Sequence, residues 1–261
     1  MNLDLKNKTA IVCGATQGIG FGIARGLAIE GASLILIARN KAKLTNCIKS
    51  LDFPERHSFI CVDFSKPKEL ELGLKKYFEK NKTLVHILIN NTGGPKSGPI
   101  EAATIAEFKN AFNMHVLCNQ ILTSFVVPGM KKLGYGRIIN IISTSVKVPI
   151  PGLGVSNTIR GAVANWSKTM ANELGEFQIT VNNILPGYTN TSRLSSLFEK
   201  MSKSQQKTTQ EIKENIIKTV PLKRIGEVDD VAHIATFLSS KKASYISGVN
   251  IPVDGGRTGS L

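Results

Sequence analysis

The sequence predicts an α/β fold, a doubly wound parallel sheet with helices on both faces, built as a single domain. Three observations predict it. A β-branched apolar run, Thr9–Cys13, stops at glycines spaced Gly14-x3-Gly18-x-Gly20, after which Ile19, Ile23 and Leu27 recur at helical spacing up to a closing Gly31. Short apolar runs then alternate with helix-period stretches along the whole chain, the pattern of repeated strand–helix–strand units. Residues able to do chemistry fall at the carboxyl ends of those runs, where open α/β sheets bind their ligands.

The first strand, turn and helix set the expectation for the rest. Glycines between a buried strand and a helix N-terminus let a phosphate approach backbone N–H groups with no side chain in the way. The turn misses the spacing of the G-x-G-x-x-G dinucleotide fingerprint, and any tight strand-to-helix turn can use glycine, so the motif alone leaves both readings open. The second strand, Ser33–Ala38, is apolar throughout, as a parallel strand covered on both faces requires. It ends at Ala38, Arg39 and Asn40, where a site for NAD would place a carboxylate on the ribose 2′-OH. A guanidinium instead can grip a 2′-phosphate through paired charge-assisted hydrogen bonds, so Arg39 favours NADP(H) over NAD(H).

The elements continue in order. A helix is expected over 41–51, a third strand over 57–62 ending at Asp63, and a helix over 68–80 with Pro67 at its first position. A fourth strand over 84–89 runs into Asn90-Asn-Thr-Gly-Gly-Pro95, and two helices follow, over 103–113 and 115–133. The fifth strand, 136–143, ends on the hydroxyl of Ser143; a helix begins near Ser156 and runs to Leu174; the sixth strand, 179–185, ends in Pro186-Gly187. Residues 193–218 are rich in Lys and Ser and lack a steady period as far as Ser204, and with Thr191 before them they read as a mobile lid over a substrate. A helix over 227–239 and a last strand over 249–253 complete the chain, with Pro252 restricting how that strand is paired.

Composition narrows the classes of function. At 261 residues and 42% hydrophobic content the chain can bury one ordinary core. Its first residues carry no leader pattern and no apolar run is long enough to span a membrane, which predicts a soluble, cytoplasmic protein with no membrane partner. Cys13, Cys47, Cys61 and Cys118 lie in or beside apolar runs without a C-x-x-C pair, so buried thiols are expected, with no disulfide and no metal. The net charge of +14 raises nucleic acid as a partner, but 25 of the 33 basic residues are lysines scattered along the chain. That pattern reads as a solvated lysine surface; an anionic substrate or carrier is the weaker implication, and no nucleic acid is expected.

The glycine turn resembles the T-G-x3-G-x-G turn of the short-chain dehydrogenase/reductase family, with Cys13 in place of its usual Thr. Asn90-Asn-Thr-Gly93 resembles that family's N-N-A-G signature, with Thr92 for Ala, and 221–227 and 247–256 also match. The similarity covers 5–256 and points to a divergent branch related to 3-oxoacyl-[acyl-carrier-protein] reductases. It implies a three-layer, Rossmann-like domain and a cofactor site made by Gly14, Thr16, Gln17, Gly18, Ile19 and Gly20, with Asp63 at the adenine. Asn90 would line the adenosine ribose, Ile141 to Ser143 the nicotinamide ring, and Thr191 the carboxamide, beside Pro186 and Gly187. It also implies a homo-oligomer, a tetramer or a dimer.

The family's reaction centre is a Ser, a Tyr, a Lys and an Asn, and here the resemblance breaks. Ser143 matches the Ser, but the Tyr and Lys positions hold Ser156 and Arg160, and the Asn position holds His115. A serine hydroxyl is a far weaker acid than a phenol and Arg stays protonated, so this pair cannot repeat the Tyr–Lys proton relay. Arg160 can still bind a ribose hydroxyl or stabilise an oxyanion, and His115, Tyr188 or water could supply the proton. Two readings stay open. One is an NADP(H)-dependent reductase of a small-molecule carbonyl substrate, 3-oxoacyl thioesters on an acyl carrier included; the other is a non-catalytic dinucleotide-binding protein.

Overall fold

The computed structural model describes residues 3–260. Seven parallel strands lie in the order β3-β2-β1-β4-β5-β6-β7: β1 Thr9–Cys13, β2 Ser33–Ala38, β3 Ser58–Cys61, β4 Ile87–Asn90, β5 Gly136–Ile141, β6 Ile179–Pro186 and β7 Asn250–Val253. The nine α-helices among the described residues are α1 Gly18–Ile29, α2 Lys41–Lys49, α3 Pro67–Asn81, α4 Ile105–Phe112, α5 Cys118–Leu133, α6 Gly154–Leu174, α7 Ser192–Gln205, α8 Thr209–Lys218 and α9 Val228–Leu238. The doubly wound expectation holds. Strand order reverses between β1 and β4, and the crevice at their carboxyl ends is where such sheets bind ligands.

Alternation along the strands builds two cores from one sheet. In β1, Ala10 and Val12 face one layer with Ile23, Leu27 and Val231 from α1 and α9; Ile11 and Cys13 face the other with Leu70, Leu122 and Met130 from α3 and α5. Both sides are dry, which is why the strands read as unbroken apolar runs. β7 pairs with β6 alone and places Pro252 at this edge of the sheet, where the missing N–H is tolerated.

Four strands carry a polar exception. Asn90, Asn140, Asn183 and Asn250 stand in register on β4, β5, β6 and β7. Asn90 donates to Asn140 at 2.8 Å, Asn140 to Asn183 at 2.9 Å, and Asn183 to Asn250 at 2.8 Å, while Ser167 of α6 accepts a second bond from Asn140. Each buried amide would cost about 1–3 kcal/mol if left unpaired, so the ladder holds only as a set and fixes the register of the four strands.

Several elements depart from the sequence expectation. Residues 103–133 do not form two helices separated at Met114. Thr104 and Glu107 make a reciprocal cap that starts α4, and the chain passes from α4 to α5 through a single π turn, Asn113–Leu117, that holds one surplus residue. β5 ends at Ile141, so Ser143 lies beyond the strand and caps the short 3₁₀ turn Thr144–Val146. Residues 193–218 are α7 and α8, the second opened by a Thr208–Glu211 capping box, and Leu194, Phe198, Ile212 and Ile216 pack between them. Of the thiols expected to be buried, Cys13 and Cys118 are, Cys47 is half-buried, and Cys61 is exposed on β3, the sheet's other edge; all four cysteines are free.

The asparagine ladder yields a test. Asn140→Ala leaves an Asn90 donor and an Asn183 acceptor buried without partners, and should lower unfolding free energy by about 2–4 kcal/mol in urea titration. A loss below about 1 kcal/mol would show that the ladder carries no stability.

Candidate active site

The glycine turn is closed as tightly as a backbone allows. Gly14 and Gly18 have φ of +59° and +53°, a left-handed conformation that a β-carbon disfavours. A β-carbon on Gly20 would overlap the Gly14 carbonyl oxygen, and one on Gly14 would lie 2.8 Å from both the side-chain nitrogen and the backbone oxygen of Asn91. Asn91 Nδ2 donates to the Cys13 carbonyl at 3.2 Å, which ties the end of β4 to the end of β1. Gly14 and Gly20 are therefore required by packing within the turn itself. Gly18, 3.2 Å from the Thr191 methyl in the same sense, faces the cleft.

At that cleft α1 presents its N-terminus. Gln17 is its N-cap without a capping side-chain bond, and the first turn holds no acidic residue. Thr16, Gln17 and Ile19 complete the turn, so unspent N–H groups and the positive helix end face the space a diphosphate would fill. Arg39 is exposed at the end of β2, and among the described residues it makes no salt bridge. Asp63 accepts from the Ser65 amide at 2.9 Å, and that bond, with a smaller share from the Arg39 charge, holds its carboxyl below the usual range.

The other half of the cleft is cationic. Arg160, on the buried face of α6 one turn from Ser156, donates from Nη1 to the Ile141 carbonyl at 2.8 Å. Burial, reinforced by the Arg193 charge, pushes its pKa down to about 9, so it remains a cation at neutral pH. Arg193, in the first turn of α7, lays its guanidinium on Gly94: a β-carbon there would lie 2.5 Å from Nη2 and 2.9 Å from Cζ. His115 sits in the π turn, 2% exposed, hydrogen-bonded to the Gly93 backbone, and burial followed by the Arg160 and Arg193 charges pushes its pKa down to about 2. His115 is a neutral imidazole at pH 7. Asn90, His115 and Arg160 line one small cavity, and Asn90 Oδ1, His115 Nε2 and Arg160 Nε are buried without a hydrogen-bond partner in the protein.

Of the residues picked from sequence, the structure brings together Ile141, Arg160, Asn90 and His115 around that cavity, with Ser143 two residues past the end of β5; Ser156 is buried on α6, one turn before Arg160. Ser143 Oγ accepts from the Ser145 amide at 3.1 Å. Asn90 is the last residue of β4, buried, with its side-chain N–H donated to Asn140. Pro186 ends β6, Gly187 is closed against Asp254, and Thr191 caps α7 by accepting from the Leu194 amide at 3.3 Å. Tyr188 is separate from the cavity and lies under the Arg257 guanidinium, 4.9 Å from ring centre to Cζ. Sequence reasoning passed over Asn91, Arg193 and Arg257. Asn91 was legible as the second Asn of Asn90-Asn-Thr-Gly, whereas nothing local marks the two arginines. Among the described residues no cluster of three or more His, Cys, Asp or Glu could hold a metal, and no helix is long and apolar enough to cross a membrane.

A family profile described as enoyl-(acyl carrier protein) reductase matches residues 14–258. The chain belongs to the short-chain dehydrogenase/reductase family. As a member of this oxidoreductase family it is similar over 98% of its length to the 7α-hydroxysteroid dehydrogenase of Escherichia coli K12, at 31% identity and 96% of that protein. It is 29% identical to the NADPH-dependent reductase BacG of Bacillus subtilis, over 98% of this chain and all of that one. The crystal structure of L-sorbose reductase from Gluconobacter frateurii, complexed with NADPH and L-sorbose, superposes over the full length of both chains at a TM-score of 0.93 and 28% identity.

The His115 environment predicts an acid-sensitive fold. Above its ordinary pKa of 6.5 neither state protonates His115; below 6.5 the unfolded chain does and the native state does not, down to about 2. Stability therefore falls with pH across that window, by about 2 kcal/mol between pH 7 and pH 5 from this residue. His115→Asn should lose about 2 kcal/mol less than wild type over the same interval in urea unfolding, and equal losses would exclude a neutral buried imidazole.

Proposed function

We propose that the protein is an NADP(H)-dependent oxidoreductase that reduces the carbonyl of a small molecule. The observation that carries the reading is Arg160: a buried guanidinium, one bond spent on the Ile141 carbonyl and Nε still free, next to the strand end that leads to Ser143. A cation so placed suits an oxygen that gains negative charge. NADP(H) fits the residues present, for the Gly14 to Gly20 turn admits a diphosphate at the α1 N-terminus and Arg39 meets a 2′-phosphate with no carboxylate at Ala38 or Asn40 to repel it. The NADPH named for two of the relatives supports the same assignment.

NADPH, when bound, supplies a hydride. Ser143 then orients the carbonyl oxygen by donating its hydroxyl proton in a hydrogen bond, and Arg160 stabilises the developing alkoxide. Ser156 shares the Arg160 face of α6 and contributes a hydroxyl at the position where the family places its phenol. His115, neutral at pH 7, is not the acid; its part is to hold Gly93 and to line the Arg160 cavity. Tyr188 lies under Arg257, outside the cavity that Arg160 lines. The proton comes from water.

A 3-oxoacyl thioester on an acyl carrier is the second substrate reading, supported by the net charge of +14, which suits an acidic carrier. Helices α7 and α8 act in this scheme as the substrate lid over 191–218. A homo-oligomer, tetramer or dimer, accords with Ile105, Phe112, Leu117 and Leu133, which stand exposed along α4, the π turn and α5.

Two measurements decide the reading. Fluorescence titration should give tighter binding of NADPH than of NADH, and Arg39→Ala should weaken NADPH by about 10–100-fold while leaving NADH nearly unchanged. A panel of ketones and aldehydes should show NADPH oxidation that Arg160→Met lowers by about 10²–10³-fold in kcat. NADPH binding without turnover of any carbonyl would favour the non-catalytic reading.

A further inference from the structure

A second cavity, of ≈280 Å³, opens beside the reaction centre, with Thr144 as its first wall, the residue after Ser143. Its apolar side is the 148–151 loop, and its polar side is Thr144, Thr219, Thr258 and Arg257. No acidic residue lines it, so Arg257 is its one charged group.

Arg257 is held in place from three directions. Gly255 and Gly256, with φ of +66° and +82°, turn the tail back on the segment that follows α8: a β-carbon on Gly255 would lie 2.7 Å from the Val220 side chain, and the Leu222 amide donates to the Gly255 carbonyl at 3.2 Å. Arg257 Nε donates to Thr219 Oγ1 at 3.3 Å, and its guanidinium lies over the Tyr188 ring. That leaves the Nη1 and Nη2 fork. Asp254, the acid nearest in sequence, does not take it: Oδ1 accepts from the Gly256 amide at 3.0 Å and Oδ2 from the Thr258 amide and hydroxyl at 2.8 and 2.6 Å. Among the described residues Arg257 makes no salt bridge.

A fixed guanidinium with its fork unspent, on a small hydroxyl-lined cavity without an acid, matches a carboxylate in charge and in geometry. The geometry points to an oxo acid as substrate: the carboxylate sits on Arg257 with the threonine hydroxyls around it, and the carbonyl reaches Ser143. This rests on the reductase reading. The reaction is then oxo acid plus NADPH plus a proton giving hydroxy acid plus NADP⁺, with hydride adding to the carbonyl carbon and a water proton to its oxygen. The cavity lies just below the usual range for ligand sites of about 300–1,000 Å³, so the acid is short. Two walls come from the tail and from Thr219, the residue that caps the end of α8.

The test compares acids with their own esters. Pyruvate, 3-oxobutanoate and 4-oxopentanoate, and the methyl ester of each, are titrated by calorimetry into the NADP⁺-loaded protein and into Arg257→Gln and Arg257→Lys. At least one acid should bind about 10–100-fold tighter than its ester in the wild type. Arg257→Gln should bring that ratio close to one, and Arg257→Lys, which keeps the charge and loses the fork, should fall between. In turnover with NADPH the same substitution should raise KM for the preferred acid by a similar factor and move kcat far less. No acid favoured over its ester, or a preference that survives Arg257→Gln, overturns the proposal whether or not turnover occurs. Oxidation of NADPH by none of the six compounds, with the binding preference intact, would count against the reductase reading and leave the carboxylate site standing.

Discussion

The site depends on a contact in which there is no room for a side chain. Gly20 lies so close against the Gly14 carbonyl that a β-carbon would overlap it, and the Asn91 amide fills the angle beside them. This closeness sets how α1 leaves β1, and so where its free N–H groups point. Asn91 carries the constraint across to β4 through the Cys13 carbonyl, fixing the crevice at the one place where strand order reverses. Thr191 rests against Gly18 and caps α7, so the start of that helix is set by the same turn.

Around this frame the charges are one-sided. Arg39, Arg160, Arg193 and Arg257 are at or near the cleft, and none of the four makes a salt bridge among the described residues. Arg160 feels it most, since burial and the Arg193 charge both work against its proton. Asp63 feels the Arg39 charge and Asp254 lies in the Arg257 turn, yet neither forms an ion pair with these arginines, so an anion that binds there meets unpaired guanidinium groups. The excess of positive charge in the composition, diffuse over the lysine surface, is focused here by arginines. Arg137 shows the contrast: equally buried, it spends its donors on the Gly136, Gln178 and Ser240 carbonyls and serves the fold.

The fold was legible because its main signal is local. Thr9–Cys13, the glycine spacing and the Ile19, Ile23, Leu27 stripe each need only a short window of sequence, and strands buried on both faces leave apolar runs that are hard to misread. What was missed depends on partners far away in sequence. Arg193 and Arg257 look like any surface arginine until Gly94 and Tyr188 are brought under them. The asparagine ladder joins residues that sequence separates by 43 to 67 positions. Residues 193–218 read as a polar stretch without a steady period as far as Ser204, yet Leu194 with Phe198 and Ile212 with Ile216 repeat at four-residue spacing; polar neighbours hide so narrow a stripe. The pKa of His115 is legible in sequence only at its ordinary value, because the burial and the Arg160 and Arg193 charges that lower it come from tertiary structure.

The π turn between α4 and α5 also makes the chain's length at this point part of its chemistry. An α-helix advances about 100° per residue, so the surplus residue in Asn113–Leu117 rotates α5 relative to α4 by about that angle. Deleting one residue there would heal the helix locally and give it better hydrogen bonds. It would also swing Leu122, Val126 and Met130 away from the sheet, or else drag His115 and the Gly93 contact out of the cleft. The buried imidazole of His115 and the hydrophobic seam are thus tied to a single count of residues, and a helix that any local measure would call improved is one the protein cannot use.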